Sequence, residues 1–109
     1  MKAGFSIINY IKADTEETLE KVIRAFKERL GAVEKREGFF GLTVLANKER
    51  LEVLVITYWR DREAFEKWVN SEEFKRAHEK ARSRRLSGTT SQGVEYEVIE
   101  WIMKPTNTS

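Results

Sequence analysis

The chain has 109 residues, enough for one domain that buries roughly 65% of its unfolded surface and stands without covalent staples. It has no cysteine and one histidine, His78, which excludes a disulfide framework, a thiolate nucleophile, Cys-ligated metal sites and any centre that needs two imidazoles. Its 20 Lys and Arg stand against 18 Asp and Glu with both signs interspersed, a net of +2 that is not the footprint of a nucleic-acid or membrane-surface binder.

The opening MKAGFSIINYIKADT is broken by Asn9 and Lys12 and lacks the apolar core of a signal peptide. No stretch approaches the ~20 apolar residues of a membrane span. The expectation is a cytoplasmic protein.

Residues 4–12 read as a strand, with Phe5, Ile7, Asn9 and Ile11 on one face and Ser6, Ile8 and Tyr10 on the other. Asp14 is predicted to open a helix, with Glu17 completing a capping-box-like start. Leu19, Val22, Ile23, Phe26, Leu30 and Val33 form one apolar stripe along it; Gly31 interrupts or bends it and Gly38 ends it. Two strands follow, Phe39 to Asn47 and Leu51 to Trp59, joined by a polar turn at Lys48–Arg50. Asp61 caps a short helix with Phe65, Trp68 and Val69, and Asn70–Ser71 caps another with Phe74, Ala77, His78 and Ala81. The segment Leu86 to Gly93 has the composition of a mobile loop, and a last strand runs from Val94 to Lys104 before Pro105.

The order β-α-β-β-α-β predicts an α+β, ferredoxin-like domain: a four-stranded antiparallel sheet with helices on one face. The expectation is that residues 1–104 form this single domain and 105–109 a flexible tail. The third strand is apolar on both sides, Leu51, Val53 and Val55 alternating with Leu54, Ile56 and Tyr58. A sheet with water on one face shows apolar-in, polar-out alternation. With no further element to cover the second face, a homodimer packed sheet against sheet, a dimeric α/β barrel, is expected.

Few residues suggest chemistry. His78 lies four residues after Phe74 and three before Ala81 on one helix face. It reads either as an ordinary helical histidine or as a metal ligand. With one imidazole available, the metal it best serves is one whose cofactor brings four donors of its own and asks for a single axial bond, which is haem. Ala77 and Ala81 are small enough to let a flat macrocycle approach. Phe26, Phe65, Phe74 and Ala81 are candidate lining for it. Trp68, ten residues before His78, reads as core or as part of the same site. Asn9 is out of place inside a strand among Phe5, Ile7 and Ile11; a buried amide there pairs with nearby backbone or donates to a ligand.

Lys80, Arg82, Arg84 and Arg85 suit either a helix C-terminus or an anionic group such as a haem propionate. Glu72 and Glu73 are adjacent and do not face each other, and Glu95 and Glu97 share a solvated strand face. There is no GxSxG, P-loop or GxGxxG motif.

Val55–His78, with Tyr58-Trp59-Arg60, Glu63-Ala64-Phe65 and Trp68-Val69-Asn70-Ser71-Glu72, resembles the antibiotic biosynthesis monooxygenase superfamily. So does Ala32-Val33-Glu34 followed by Glu37-Gly38-Phe39-Phe40-Gly41, and the likeness runs over residues 4 to 104. Asn9, Trp68 and His78 match in type, order and spacing a triad of its IsdG-like haem-degrading branch. The resemblance implies a homodimer with haem as both cofactor and substrate, opened by O2 and electrons from an external reductase to give iron and a linear tetrapyrrole. It implies His78 as the axial iron ligand, Asn9 as hydrogen-bond donor to the oxygen species, and Trp68 as the residue that ruffles the porphyrin. Two rival readings are a haem-binding or buffering protein, and a cofactor-independent oxygenase of the superfamily acting on a quinol-like aromatic.

Overall fold

The computed structural model describes residues 2–28, 33–76 and 88–105. Four strands, β1 (Phe5–Ala13), β2 (Phe39–Asn47), β3 (Glu52–Trp59) and β4 (Thr89–Glu97), form one antiparallel sheet in the order β2-β3-β1-β4. Helices α1 (Glu16–Lys27) and α2 (Arg62–Val69) pack on one face of it. A single 3-10 turn, Val33–Lys35, leads into β2, and residues 72–76 are helical again. This is the expected ferredoxin-like architecture, with β1 and β3 at the centre.

Short-range chemistry places the turns. Asn47 Oδ1 accepts from the Arg50 N–H at 3.1 Å and closes the β2–β3 hairpin, with Leu51 taking a left-handed φ of 52° at its exit. Asp61 caps α2 by accepting from the Ala64 N–H at 2.8 Å. The cap of α1 is Thr15, not the expected Asp14: Thr15 Oγ1 accepts from the Thr18 N–H at 3.1 Å, while the Asp14 N–H is spent on the Gly88 carbonyl at 2.9 Å. Gly38 has φ +83°, and a Cβ there would lie 2.6 Å from Ala64 Cβ, so the turn into β2 comes close to α2 only because this residue is glycine.

The helix-side core is in two parts. At one end of β1, Leu19 and Val22 of α1 are buried with Ala13, Val53 and Val55, and Ile11, Ile23 and Phe26 pack against them. At the other end, Ala64 of α2 is buried with Phe5 and Trp59, joined by Ile7, Val33, Phe39, Phe65 and Trp68. Val33 therefore belongs with α2 rather than extending the α1 stripe as expected. α1 ends at Lys27, and Leu30 and Gly31 lie outside the described residues.

Two further expectations are corrected at the C-terminal end. Residues 89–93, read as loop, form the first half of β4, each paired to β1 from Thr89↔Ala13 to Gly93↔Asn9. The small polar residues suit an edge strand whose pairing is set by β1 rather than by their own apolar pattern. The last strand ends at Glu97, not Lys104. The Val98 N–H still reaches the Gly4 carbonyl at 3.1 Å, but β1 begins at Phe5, so beyond that point the chain has no strand to follow.

The outer face is apolar, as β3 implied: Ile8, Tyr10, Leu54, Ile56, Tyr58 and Val94 are half-buried, and Leu45 and Tyr96 are exposed. A further piece of the chain covers part of it. The Trp101 ring lies 5.1 Å from Tyr58 and 5.8 Å, edge-on, from Phe40. The register shift between Phe39 and Gly41 separates Phe39, edge-on to buried Trp59, from Phe40 against Trp101. Ile99 and Ile102 on either side of Trp101 remain 83% and 84% exposed. Among the described residues no helix is long and apolar enough to cross a membrane.

Candidate functional site

Asn9 stands at the midpoint of β1, in register with Val55 of β3 on one side and Gly93 of β4 on the other. Its neighbours along the same face are split: Ile7 joins the α2 cluster and Ile11 the α1 cluster. α1 and α2 thus each take one end of the strand, and among the described residues Asn9 belongs to neither cluster. Asn9 is exposed, although it lies on the helix-bearing side of a central strand, and its side chain makes no hydrogen bond among the described residues. The expectation of a buried amide is corrected here. The amide stands between the two clusters and makes no bond to backbone among the described residues.

The surface around it is small and mostly apolar. Val55 is buried beside Asn9, and on the other side Gly93 presents no side chain; a Cβ there would sit 3.0 Å from Asn9 Oδ1. Ser91, next on the same face of β4, opposes Ile11. An amide with unused donors and acceptor, set between Ile7 and Ile11, is suited to a flat apolar ligand that carries one polar centre. The chemistry present fits such a group: an amide with no hydrogen bond among the described residues, flanked along its strand by Ile7 and Ile11. Gly93 is the part of this surface that reading along the chain missed; Val55 is buried with Leu19 and Val22 of α1. The available signal was a glycine inside a strand, which marks close approach of a ligand or another chain.

Trp68 lies on the same side of the sheet, in the cluster that includes Ile7. Its ring is edge-on to Phe74 at 5.5 Å, and the Arg36 guanidinium stands 5.9 Å from its centroid. Ser71 fixes the pair: its Oγ donates to the Trp68 carbonyl at 2.6 Å and accepts from the Phe74 N–H at 3.2 Å. Arg36 also lies 3.7 Å from Glu73, whose carboxyl is held below the usual range by its own backbone N–H and then by that guanidinium. Phe65 packs on Phe5 and Trp59 at 5.4 and 5.8 Å, and Phe26 packs against the α1 cluster. Asn9, Trp68, Phe26, Phe65 and Phe74 are thus all described, whereas His78, Ala81 and the basic residues Lys80, Arg82, Arg84 and Arg85 lie outside the described residues. Among the described residues no three His, Cys, Asp or Glu side chains form a group that could hold a metal ion by themselves.

Glu95 and Glu97 are exposed, as expected; they share the helix-bearing side of β4, where Glu95 pairs with Arg62 at 3.1 Å. On the outer face the Tyr10 and Tyr96 hydroxyls meet at 3.0 Å, and that hydrogen bond raises the Tyr10 phenol above its ordinary value.

Residues 4–80 match the family model described as antibiotic biosynthesis monooxygenase. The chain belongs to that family. A heme-degrading monooxygenase of Shouchella clausii is 33% identical over 88 residues, covering 78% of this chain and 80% of the relative. A staphylobilin-producing heme oxygenase of Staphylococcus aureus is 37% identical over 73 residues, 64% of this chain and 67% of its own. Among solved structures, MhuD from Mycobacterium tuberculosis, a heme-degrader with two hemes bound in its active site, superposes with a TM-score of 0.68 at 26% identity. That match spans 91% of this chain and 99% of MhuD. The cofactor-independent oxygenase SnoaB of Streptomyces nogalater, at 16% identity and a TM-score of 0.61, shares the fold.

Proposed function

We propose that this antibiotic biosynthesis monooxygenase-family protein is a haem-degrading monooxygenase that opens the porphyrin with O2 and releases iron and a linear tetrapyrrole. The observation that carries the reading is the Asn9 amide at the centre of the helix-bearing face, between two hydrophobic clusters and with no hydrogen bond among the described residues. The two curated relatives, both haem-degrading, support the substrate.

Haem, when bound, supplies the iron at which O2 is activated by electrons from an external donor. The chain supplies the rest. His78 would hold the iron through its imidazole. Asn9 Nδ2 would provide a hydrogen-bond donor that a bound macrocycle covers from water, and a donor shielded in this way orients a polar partner more strongly than one in bulk solvent. Trp68, braced by Phe74 and Arg36, would offer a stiff indole for the macrocycle to press on. Phe26, Phe65, Phe74 and Ala81 exclude water around the ring.

The protein works as a homodimer through the outer face. Ile99, Ile102 and Met103 are exposed beside Trp101, whose indole Nε1 is buried without a partner among the described residues. A second subunit covers these exposed apolar side chains.

The test is haemin titration of the purified protein, followed by ascorbate under air. A stoichiometric Soret band that decays on reduction is expected, and His78→Ala abolishes the axial bond. A band that survives reduction makes the protein a haem binder, and no band with hydroquinone bound instead makes it a cofactor-independent oxygenase. Either result overturns the proposal.

A further inference from the structure

Gly93 and Asn9 are two breaches of strand chemistry placed directly opposite one another. Both residue types are depleted from strand interiors. They pair in register across β1 and β4 on the helix-bearing face. Backbone conformation does not call for glycine at 93: its φ is not among the positive values, which belong to Gly38 and Gly88. Glycine there weakens the strand and returns nothing through its backbone. What it provides is space. A Cβ would lie 3.0 Å from Asn9 Oδ1 and 3.7 Å from Ile7 Cδ1, an ordinary contact with Ile7 but a compressed one with the amide. The amide is the end of a flexible side chain, so it is the group that would yield.

We propose that Gly93 is a positioning residue for Asn9: the missing side chain makes room for the amide oxygen and so turns the Nδ2 donor away from β4. The inference rests on the reading of Asn9 given above and adds to it the residue that sets the direction of the donor. A side chain at 93 pushes Oδ1 off β4 and rotates the donor out of line.

The experiment uses Gly93→Ala and Asn9→Ala, singly and together, in the full chain. With haemin, Gly93→Ala is expected to keep the parent's affinity and to slow Soret loss under ascorbate on the order of tenfold to a hundredfold, as a misaimed donor does. Because both substitutions act through one amide, the double variant is expected to be no slower than Asn9→Ala alone. Additive slowing overturns the proposal, as does an unaltered rate. The melting temperature of Gly93→Ala stays at or above the parent's; a fall marks a strand defect and overturns it too. A second measurement needs no haemin. The side-chain amide pair of Asn9 in a 15N–1H spectrum, identified by its loss in Asn9→Ala, is expected to shift in Gly93→Ala, and an unmoved pair refutes the positioning role. If the parent fails to bind haemin while that pair still shifts, the functional reading falls and the positioning role stands.

Discussion

Replacing Asn9 by alanine separates a structural amide from a functional one by more than an order of magnitude. The side chain is exposed and makes no hydrogen bond among the described residues, so its removal strands no partner. Substitutions at such positions fall within about 0.5 kcal/mol of the parent. At about 4–8 °C per kcal/mol for a domain of this size, that is a melting shift within roughly 2–4 °C. A buried, bonded amide would instead leave unsatisfied groups worth about 1–3 kcal/mol, or a fall of roughly 4–24 °C. The catalytic effect runs the other way. A fixed hydrogen-bond donor aimed at developing charge is worth about 10²–10³ in rate, or roughly 2.7–4 kcal/mol. The assay pairs a melt followed by circular dichroism with the rate of Soret loss under ascorbate. Near-parental melting with a rate at least ~100-fold lower is expected. A melting fall beyond that range, with ring opening slowed only in proportion to the unfolded fraction, would refute the assignment.

Three further outcomes test the frame around the site. Leu19 is fully buried between α1 and the sheet, and Leu19→Ala is expected to cost about 2–5 kcal/mol in urea unfolding; a loss under ~1 kcal/mol would mean that α1 is not packed as described. Gly38→Ala places a side chain at φ +83° and 2.6 Å from Ala64 Cβ, so it should lose at least ~1 kcal/mol in the same measurement, and an unchanged midpoint would be contrary evidence. The Asp61 carboxyl is held below its ordinary range by the Ala64 N–H and then by Arg60. A folded value below the unfolded one means its contribution is present above about pH 4 and lost as pH falls through the lowered value. Protection of the α2 amides should therefore drop only in that acid window, and Asp61→Asn should flatten the dependence. A carboxyl carbon titration with an ordinary midpoint would contradict the cap.

Elements governed by near neighbours in the chain were legible from the residues alone. The alternation of β1 and β3, the polar turn at Lys48–Arg50 and the caps at Asp61 and Ser71 each depend on contacts a few residues apart, and each stands where the pattern puts it. The residue types at the site were legible too, because Asn9 breaks the rule of its own strand. What tertiary structure alone decided is the setting of those residues. Thr89–Gly93 is a strand because β1 offers it a ladder, and the chain beyond Val98 is not, because that ladder ends at Gly4. Asn9 is exposed because α1 and α2 settle on opposite ends of β1, and the distance between two helices is written in no single segment. Gly93 faces Asn9 through pairing across 84 positions of chain, a relation that register creates and local pattern cannot express.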